Sequence, residues 1–359
     1  MGTHTSKPVG RLFGRADGRH GGPRTAARIV LVAMVALAIG VAVTACGSSS
    51  SGSDSGGPID IVAYSTPETV YKDGLIPAFE KTSEGSGAKF SSSFGGSGDQ
   101  ARAVVSGQPA SVVHLSLEPD MQTVVDAGKV SSDWDQNDYN GFVEDSVVVF
   151  VVRQGNPDNI QDWDDLVQPG VEVLTPNPFS SGGARWNLMA AYGAQLEQGK
   201  SEAEAEEYLK QLLGNVALQA PSASDSMTAF TSGKGDVALA YENEAIAAQK
   251  AGEDVDYVVP DETILIQTPI ATTEDASAQS QDFVDWLYTP EAQQIWADNG
   301  YRPVIQSVLD ENAKEFPTPS GLFEIDKVGG WDEAKAKFFD ENNGIVTQIE
   351  QGLGVSTSG

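Results

Sequence analysis

Short apolar runs recur along the chain, each closed by small or polar residues and followed by a stretch of helical period. Residues 59–64 (IDIVAY), 89–94, 112–117, 171–174 and 236–241 (DVALAY) have strand length and mostly β-branched or aromatic apolar positions. Between them the apolar spacing changes to three and four, as at Trp186, Met189, Tyr192 and Leu196, which predicts a helix from Ala184 onward. Ser65-Thr66-Pro67-Glu68 reads as a helix start, with Ser or Thr as cap and Pro in the first turn. Residues 75–79 continue that helix, and Pro77 kinks or interrupts it. Further helices are predicted over 99–105, 121–126, 201–213, 281–287, 290–296 and 335–339. The alternation predicts an α/β fold, a mainly parallel sheet with helices on both sides. The long β-branched run 146–153 (SVVVFVVR) suits a strand crossing between two lobes, and 257–259 with 264–270 read as the return crossing.

The first 46 residues do not fit this pattern. Lys7, Arg11, Arg15, Arg19, Arg24 and Arg28 precede an apolar stretch, 29–45, that ends in Val43-Thr44-Ala45-Cys46. The order is that of a secretory signal, and the stretch is short against the roughly 20 residues of a spanning helix. Residues 1–45 are therefore expected to be a lipoprotein signal peptide, with Cys46 as the lipidated first residue. Residues 46–57 are Gly/Ser-rich and read as a flexible tether. Residues 58–353 are long enough for two lobes or one large domain. Without the leader, 16 basic side chains face 50 acidic ones, a net charge of −34. That excludes nucleic acid and electrostatic adhesion to anionic lipid. It does not exclude a small anion, because charges beyond about 8 Å are largely screened at physiological salt.

The ends of the apolar runs carry the candidate chemistry. After 171–174, Pro176 and Pro178 break regular structure, and Ser180-Ser181-Gly182-Gly183 stands directly before a predicted helix. The first N–H groups of a helix lack intrahelical partners, and the helix dipole is positive there. Serine adds a hydroxyl, the glycines let a ligand approach the backbone, and the expected occupant is an anion. An ordinary capping serine is the plainer reading of the same residues. Ser65 with Thr66, and Ser97 in Gly95-Gly96-Ser97-Gly98, fall at two further strand-to-helix junctions. Donor sites in equivalent positions argue for a cleft at the strand carboxyl ends.

Catalytic and metal chemistry is sparse. His4 and His20 belong to the leader, which leaves His114, and Cys46 is the sole cysteine. No histidine or cysteine metal cluster is possible, no cofactor is implied, and neither Gly-x-Ser-x-Gly nor a phosphate-loop Gly-x4-Gly-Lys occurs. Around Ser97, Asp99 stands where a nucleophile elbow has its last glycine. His114 is expected to be a satisfied structural histidine, and Glu242 with Glu244 an ion-paired or solvated acidic pair. The picture is binding without catalysis. A serine hydrolase using Ser97 or Ser181 is the rival, and it requires His114 within hydrogen-bonding reach of one of them. A surface adhesion lipoprotein, the third reading, predicts no enclosed polar cleft.

SSGGARWNLMAAYG, GGSGDQARAV, GDVALAYENEA, YRPV and FEIDKVGGW resemble motifs of the bacterial periplasmic sulfate/thiosulfate-binding proteins, receptors of ABC importers. The resemblance runs over about residues 59–349. It implies a type II periplasmic-binding-protein fold with two strand crossovers and a ligand cleft between the lobes. Lobe 1 would comprise 58–146 plus 260–353, and lobe 2 would comprise 147–259. It further implies one dehydrated anion held by neutral donors. Carried over by position, the ligand-binding residues are Ser97, then Ser181, Gly182 and Gly183, then Ala223, then Tyr241 where the family has an indole. Ser65 and Thr66 stand at the first junction, where the family has an aspartate after the tyrosine. Arg185 is expected to brace an acid or the backbone rather than touch the ligand. The implied ligand is sulfate or thiosulfate, with molybdate, tungstate and phosphate as alternatives. The implied partners are ABC permease subunits, met by a monomer lipid-anchored at the outer face of the cytoplasmic membrane.

Overall fold

A computed structural model describes residues 57–357. The leader, Cys46 and nearly all of the tether lie outside the described residues. The strands are β1 (Ile59–Tyr64), β2 (Phe90–Gly95), β3 (Val112–His114), β4 (Phe142–Arg153), β5 (Val173–Pro176), β6 (Val216–Ala220), β7 (Val237–Tyr241), β8 (Val255–Val258), β9 (Glu262–Thr272), β10 (Arg302–Pro303) and β11 (Gly321–Phe323). Their order is β2-β1-β3-β9-β4-β7-β5-β6, with β8 and β10 beside β4 and β11 beside β9. β1 pairs in parallel with β2 and β3, and β5 pairs in parallel with β6 and β7. Between these two parallel halves run the long strands β4 and β9, antiparallel to each other and to their neighbours β7 and β3. The return passage is β9 alone. Residues expected to share it form β8, a short strand antiparallel to β4.

Side-chain alternation explains why helices cover both faces. In β1, Ile59, Ile61 and Ala63 pack with Tyr71, Phe79, Phe283 and Trp296. Val62 points the other way, to Val104, Val113, Leu115 and Met121. In β4, Val148, Phe150 and Val152 meet Trp163, Trp186 and Met189, while Val147, Val149 and Val151 meet Leu174, Phe230 and Ala238. A strand buried on both sides must be apolar throughout, which is why SVVVFVVR lacks polar alternation. Each such fully buried aliphatic side chain contributes about 1.5–3 kcal/mol.

Two local features depart from expectation. The chain after β1 is a short helix, Glu68–Val70, a π-helical turn, Tyr71–Leu75, and a further α-helical turn, Ile76–Phe79. Pro77 has no N–H to continue the α-helical ladder, and the wider turn lies directly before it. From Gly321 onward the chain, expected with the first lobe, packs on the second half of the sheet. Trp331 meets Trp186 edge-on at 4.6 Å between ring centroids, and Phe338 meets Tyr192 at 4.7 Å.

Candidate functional site

The parallel strands end at Tyr64, Gly95 and His114 in one half and at Pro176, Ala220 and Tyr241 in the other. Every candidate from the sequence lies at or just past one of these ends. Helices start there because Gly, Ser or Pro follows most of these strand ends within a few residues and helix-favouring residues come next. Gly96 precedes the helix Ser97–Val105, Ser181 precedes Gly182–Glu197, and Ser222 precedes Ala223–Thr231.

The starts converge. A Cβ built on Gly96 would stand 2.5 Å from the Ser180 carbonyl oxygen and 3.1 Å from that of Pro221. One built on Gly182 would stand 2.8 Å from Ser116 Oγ, and one on Gly183 would stand 3.6 Å from both Ala223 Cβ and Tyr241 Cε1. The Ser224 N–H donates to Ser65 Oγ at 3.4 Å. Ser65, Ser97, Ser181, Gly182, Gly183, Ala223 and Tyr241 are therefore brought together and are all buried. Thr66 sits at the margin, half-buried, lining a groove of about 350 Å³ with Ser224, Asn243 and Tyr301.

The hydroxyls divide by what they already bond. Ser97 Oγ donates to Asp120 Oδ2 at 2.6 Å and accepts from the Ser116 N–H at 3.0 Å. Its side chain is thus committed to the protein, and what Ser97 offers a ligand is the N–H at its helix start. Ser181 is the reverse. It occupies the cap position in extended geometry but makes no side-chain capping bond, so the ordinary cap reading does not hold. Ser65 and Thr66 likewise do not cap the next helix, whose cap position is Pro67. Ser222 does cap, accepting from the Asp225 N–H.

Sequence reasoning missed Ser116, which ties the cluster together. Its N–H reaches Ser97, its carbonyl accepts from Trp186 Nε1 at 2.7 Å, and its hydroxyl lies 2.6 Å from the Tyr241 hydroxyl. The signal was present, since Ser116 lies two residues past the end of β3, the same junction that pointed to Ser65 and Ser97.

The nearest charges are spent. Arg185 donates through Nε to the Pro178 carbonyl at 2.8 Å and pairs with Asp120 at 3.8 Å. Glu242 is forked by Arg302, and Glu244 accepts from the Tyr241 N–H at 3.2 Å. Burial pushes Glu244 up to about 7. His114 is buried with both ring nitrogens engaged, Nδ1 with Tyr71 at 2.9 Å and Nε2 with Thr268 at 3.1 Å. Burial pushes it down to about 3, so it is neutral. No ring nitrogen is left to serve as base for a serine. Among the described residues no cluster of His, Cys, Asp and Glu could hold a metal ion, and no helix is long and apolar enough to cross a membrane.

Two parallel half-sheets joined by a pair of long strands, with helix starts gathered at their carboxyl ends, make the architecture of a solute-binding receptor. The bacterial extracellular solute-binding protein family matches residues 59–302. The chain is 38% identical to the sulfate-binding protein of Synechococcus elongatus over 336 residues, covering 89% of this chain and 95% of that one. It is 31% identical to the thiosulfate-binding protein of Pseudomonas aeruginosa over 307 residues, covering 81% and 92%. Among solved structures, the sulfate-binding protein SubI from Mycobacterium tuberculosis superposes with a TM-score of 0.77 at 42% identity, over 79% of this chain and 99% of that one. The chain belongs to the bacterial sulfate/thiosulfate-binding protein family.

Proposed function

We propose that this protein binds sulfate, or thiosulfate, between two lobes built on the two halves of the sheet, and delivers it to ABC permease subunits without transforming it. The observation that carries this reading is the uncapped start of Gly182–Glu197. Ser181 heads that helix with its hydroxyl unspent, and Gly183, Ala223 and Tyr241 close around it. The donors are the Ser181 hydroxyl, the N–H groups of Ser97, Gly182, Gly183 and Ala223, and the Tyr241 phenol, with Ser65 and Thr66 at the rim. None is cationic. A micromolar complex needs about −8 kcal/mol. Hydrogen bonds to a charged group contribute roughly 1.5–3 kcal/mol each, so about five to seven prearranged donors suffice after dehydration of the ion.

The long strands β4 and β9 are the passages about which the lobes move, and the ligand favours the closed arrangement that the permease recognises. Lipidated at Cys46 and carried on its Gly/Ser tether, the protein works as a monomer at the outer face of the cytoplasmic membrane. Calorimetry with sulfate, thiosulfate, molybdate and phosphate in competition tests the ligand, and silence toward all four refutes it. Cys46→Ser tests the anchor, with the protein expected to move from the membrane to the soluble fraction.

A further inference from the structure

We infer that Ser116 sets the anion selectivity of this site by holding the Tyr241 phenol as a pure hydrogen-bond donor. The inference rests on the proposed oxyanion site and adds the residue that decides which oxyanions fit. Ser116 and Tyr241 are each 1% exposed, on opposite halves of the sheet, with their hydroxyl oxygens 2.6 Å apart. The pair lies against the Gly182–Gly183 helix start, as the close approaches of Ser116 Oγ and Tyr241 Cε1 to those glycines record. The Ser116 backbone is fixed from both sides by Ser97 and Trp186, which sets its Cβ beside Tyr241. Among the described residues neither hydroxyl has another hydrogen-bond partner.

Counting protons gives the consequence. Two hydroxyls carry two protons, and the bond between them uses one. If Tyr241 donates to Ser116, the phenol has no proton left for a ligand, and the serine proton has no acceptor among the described residues. If Ser116 donates to Tyr241, the phenol proton points out of the pair toward an anion oxygen, and both protons are satisfied. The second arrangement also fills the acceptor site of the phenol oxygen and polarises its O–H. Tyr241 then behaves as a donor-only group, as an indole N–H would. A fully deprotonated oxyanion is favoured at this contact, because the O–H of monohydrogen phosphate finds no acceptor in the phenol, and a hydroxyl such as Ser181 could take it only by giving up its own bond to the anion. Without Ser116 the phenol is free to turn and accept that proton.

The test compares wild type, Ser116→Ala, Tyr241→Phe and the double variant of the full exported protein. Calorimetry uses sodium sulfate and inorganic phosphate at about pH 8, where phosphate is chiefly the monohydrogen dianion. In the Ser116→Ala variant, sulfate affinity should fall about three- to tenfold, and the preference for sulfate over phosphate should fall at least about tenfold. On the Tyr241→Phe background, Ser116→Ala should move that preference by less than about twofold. A Ser116→Ala variant whose preference stays within twofold of wild type overturns the inference while leaving the sulfate site standing. An equal loss of both anions in both backgrounds also overturns it, because Ser116 would then be bracing the fold alone. Wild-type protein silent toward both anions overturns the inference, and silence toward thiosulfate and molybdate as well overturns the proposed function.

Discussion

One methyl group at Gly96 should keep the two halves of the sheet from meeting over a ligand. The residue has φ −58° and ψ 132°, which an alanine adopts without strain. Its added Cβ would stand 2.5 Å from the Ser180 carbonyl oxygen, where ordinary contact begins at 3.4 Å, so the neighbour must retreat by about 0.9 Å. That carbonyl is backbone and is not free to turn aside. The Ser180 N–H is held by the Asn177 carbonyl at 3.3 Å, and Ser180 Oγ donates to the Pro221 carbonyl at 2.7 Å. The second carbonyl is itself 3.1 Å from the new methyl. Relief therefore comes from the halves separating, which stretches the Ser116–Tyr241 and Trp186–Ser116 hydrogen bonds. Overpacking of this kind costs about 1–3 kcal/mol. Charged to the closed state alone, that weakens sulfate binding about 5- to 150-fold, mainly through faster release. The open form proposed above, with the halves apart, would be free of this contact. There, the poorer cap is offset by about 0.4–1 kcal/mol from the stiffer unfolded chain. Calorimetry with sulfate and small-angle scattering of the free and liganded protein are the assays. An affinity within twofold of wild type refutes the reasoning. So does a large fall in melting temperature with binding intact, because the contact would then belong to the fold rather than to closure.

Ser181→Ala should weaken sulfate binding about 10- to 150-fold, the loss of one hydrogen bond to a charged group, with little change in melting temperature. A marked loss of stability would restore the capping role that the structure denies it. Burial holds Glu144 and Glu244 up at about 7 against an ordinary 4.5, so the stability they give is complete below 4.5 and is lost as pH rises through 7. His114, pushed down to about 3 from 6.5, acts oppositely, its stability present above 6.5 and lost as pH falls. Two carboxyls outweigh one imidazole, so the melting temperature should rise from about pH 8 to about pH 6, and Glu144→Gln should remove about half of that rise or more. A flat or falling profile would contradict it. Arg302 forks the buried Glu242 through Nε at 2.7 Å and Nη2 at 3.1 Å. Arg302→Ala should cost about 3–5 kcal/mol in urea unfolding, and a loss under about 1 kcal/mol would show that Glu242 finds another partner or a proton.

Strong periodicity made the centre of the fold legible. Residues 147–152 are apolar throughout because β4 is covered on both faces there, and IDIVAY and DVALAY are short because they stop where the helix starts gather. β6 was not legible. Val216–Ala220 lies at the sheet edge with Ala217 and Leu218 exposed, and its short apolar run, Val216 to Leu218, follows a helix almost directly, so neither length nor alternation marks it as a strand. β8 was misread because Val255–Val258 shares the β-branched character of β9, and strand composition does not say which strand crosses. The candidate site was legible as positions at helix starts, since a serine or glycine before a helix shows in one dimension. Its division of labour was not. That Ser97 turns its hydroxyl to Asp120 while Ser181 keeps its own depends on Asp120 and Ser116, which are contributed from a different strand end.

The same division answers how so acidic a chain could hold the proposed dianion. The acids close to the site do not act as free negative charges. Asp120 shares its carboxylate with the Ser97 hydroxyl and stands 3.8 Å from Arg185, so its charge is met within the protein. Glu242 is neutralised by Arg302. Glu144 accepts from Tyr64 and Thr268, each at 2.5 Å, beneath the first strand end, and burial alone drives it toward the protonated form. Glu244 is displaced the same way. A dianion arriving above them would favour their protonation further, because like charges in a poorly screened interior raise each other's pKa. Most of the remaining acids lie on the surface, where salt screens them beyond about 8 Å. What the proposed ligand would meet is a short-range field of N–H and O–H dipoles at the helix starts. On that proposal affinity should depend on how closely Gly96, Gly182 and Gly183 let those dipoles approach, and hardly on the net charge of the chain.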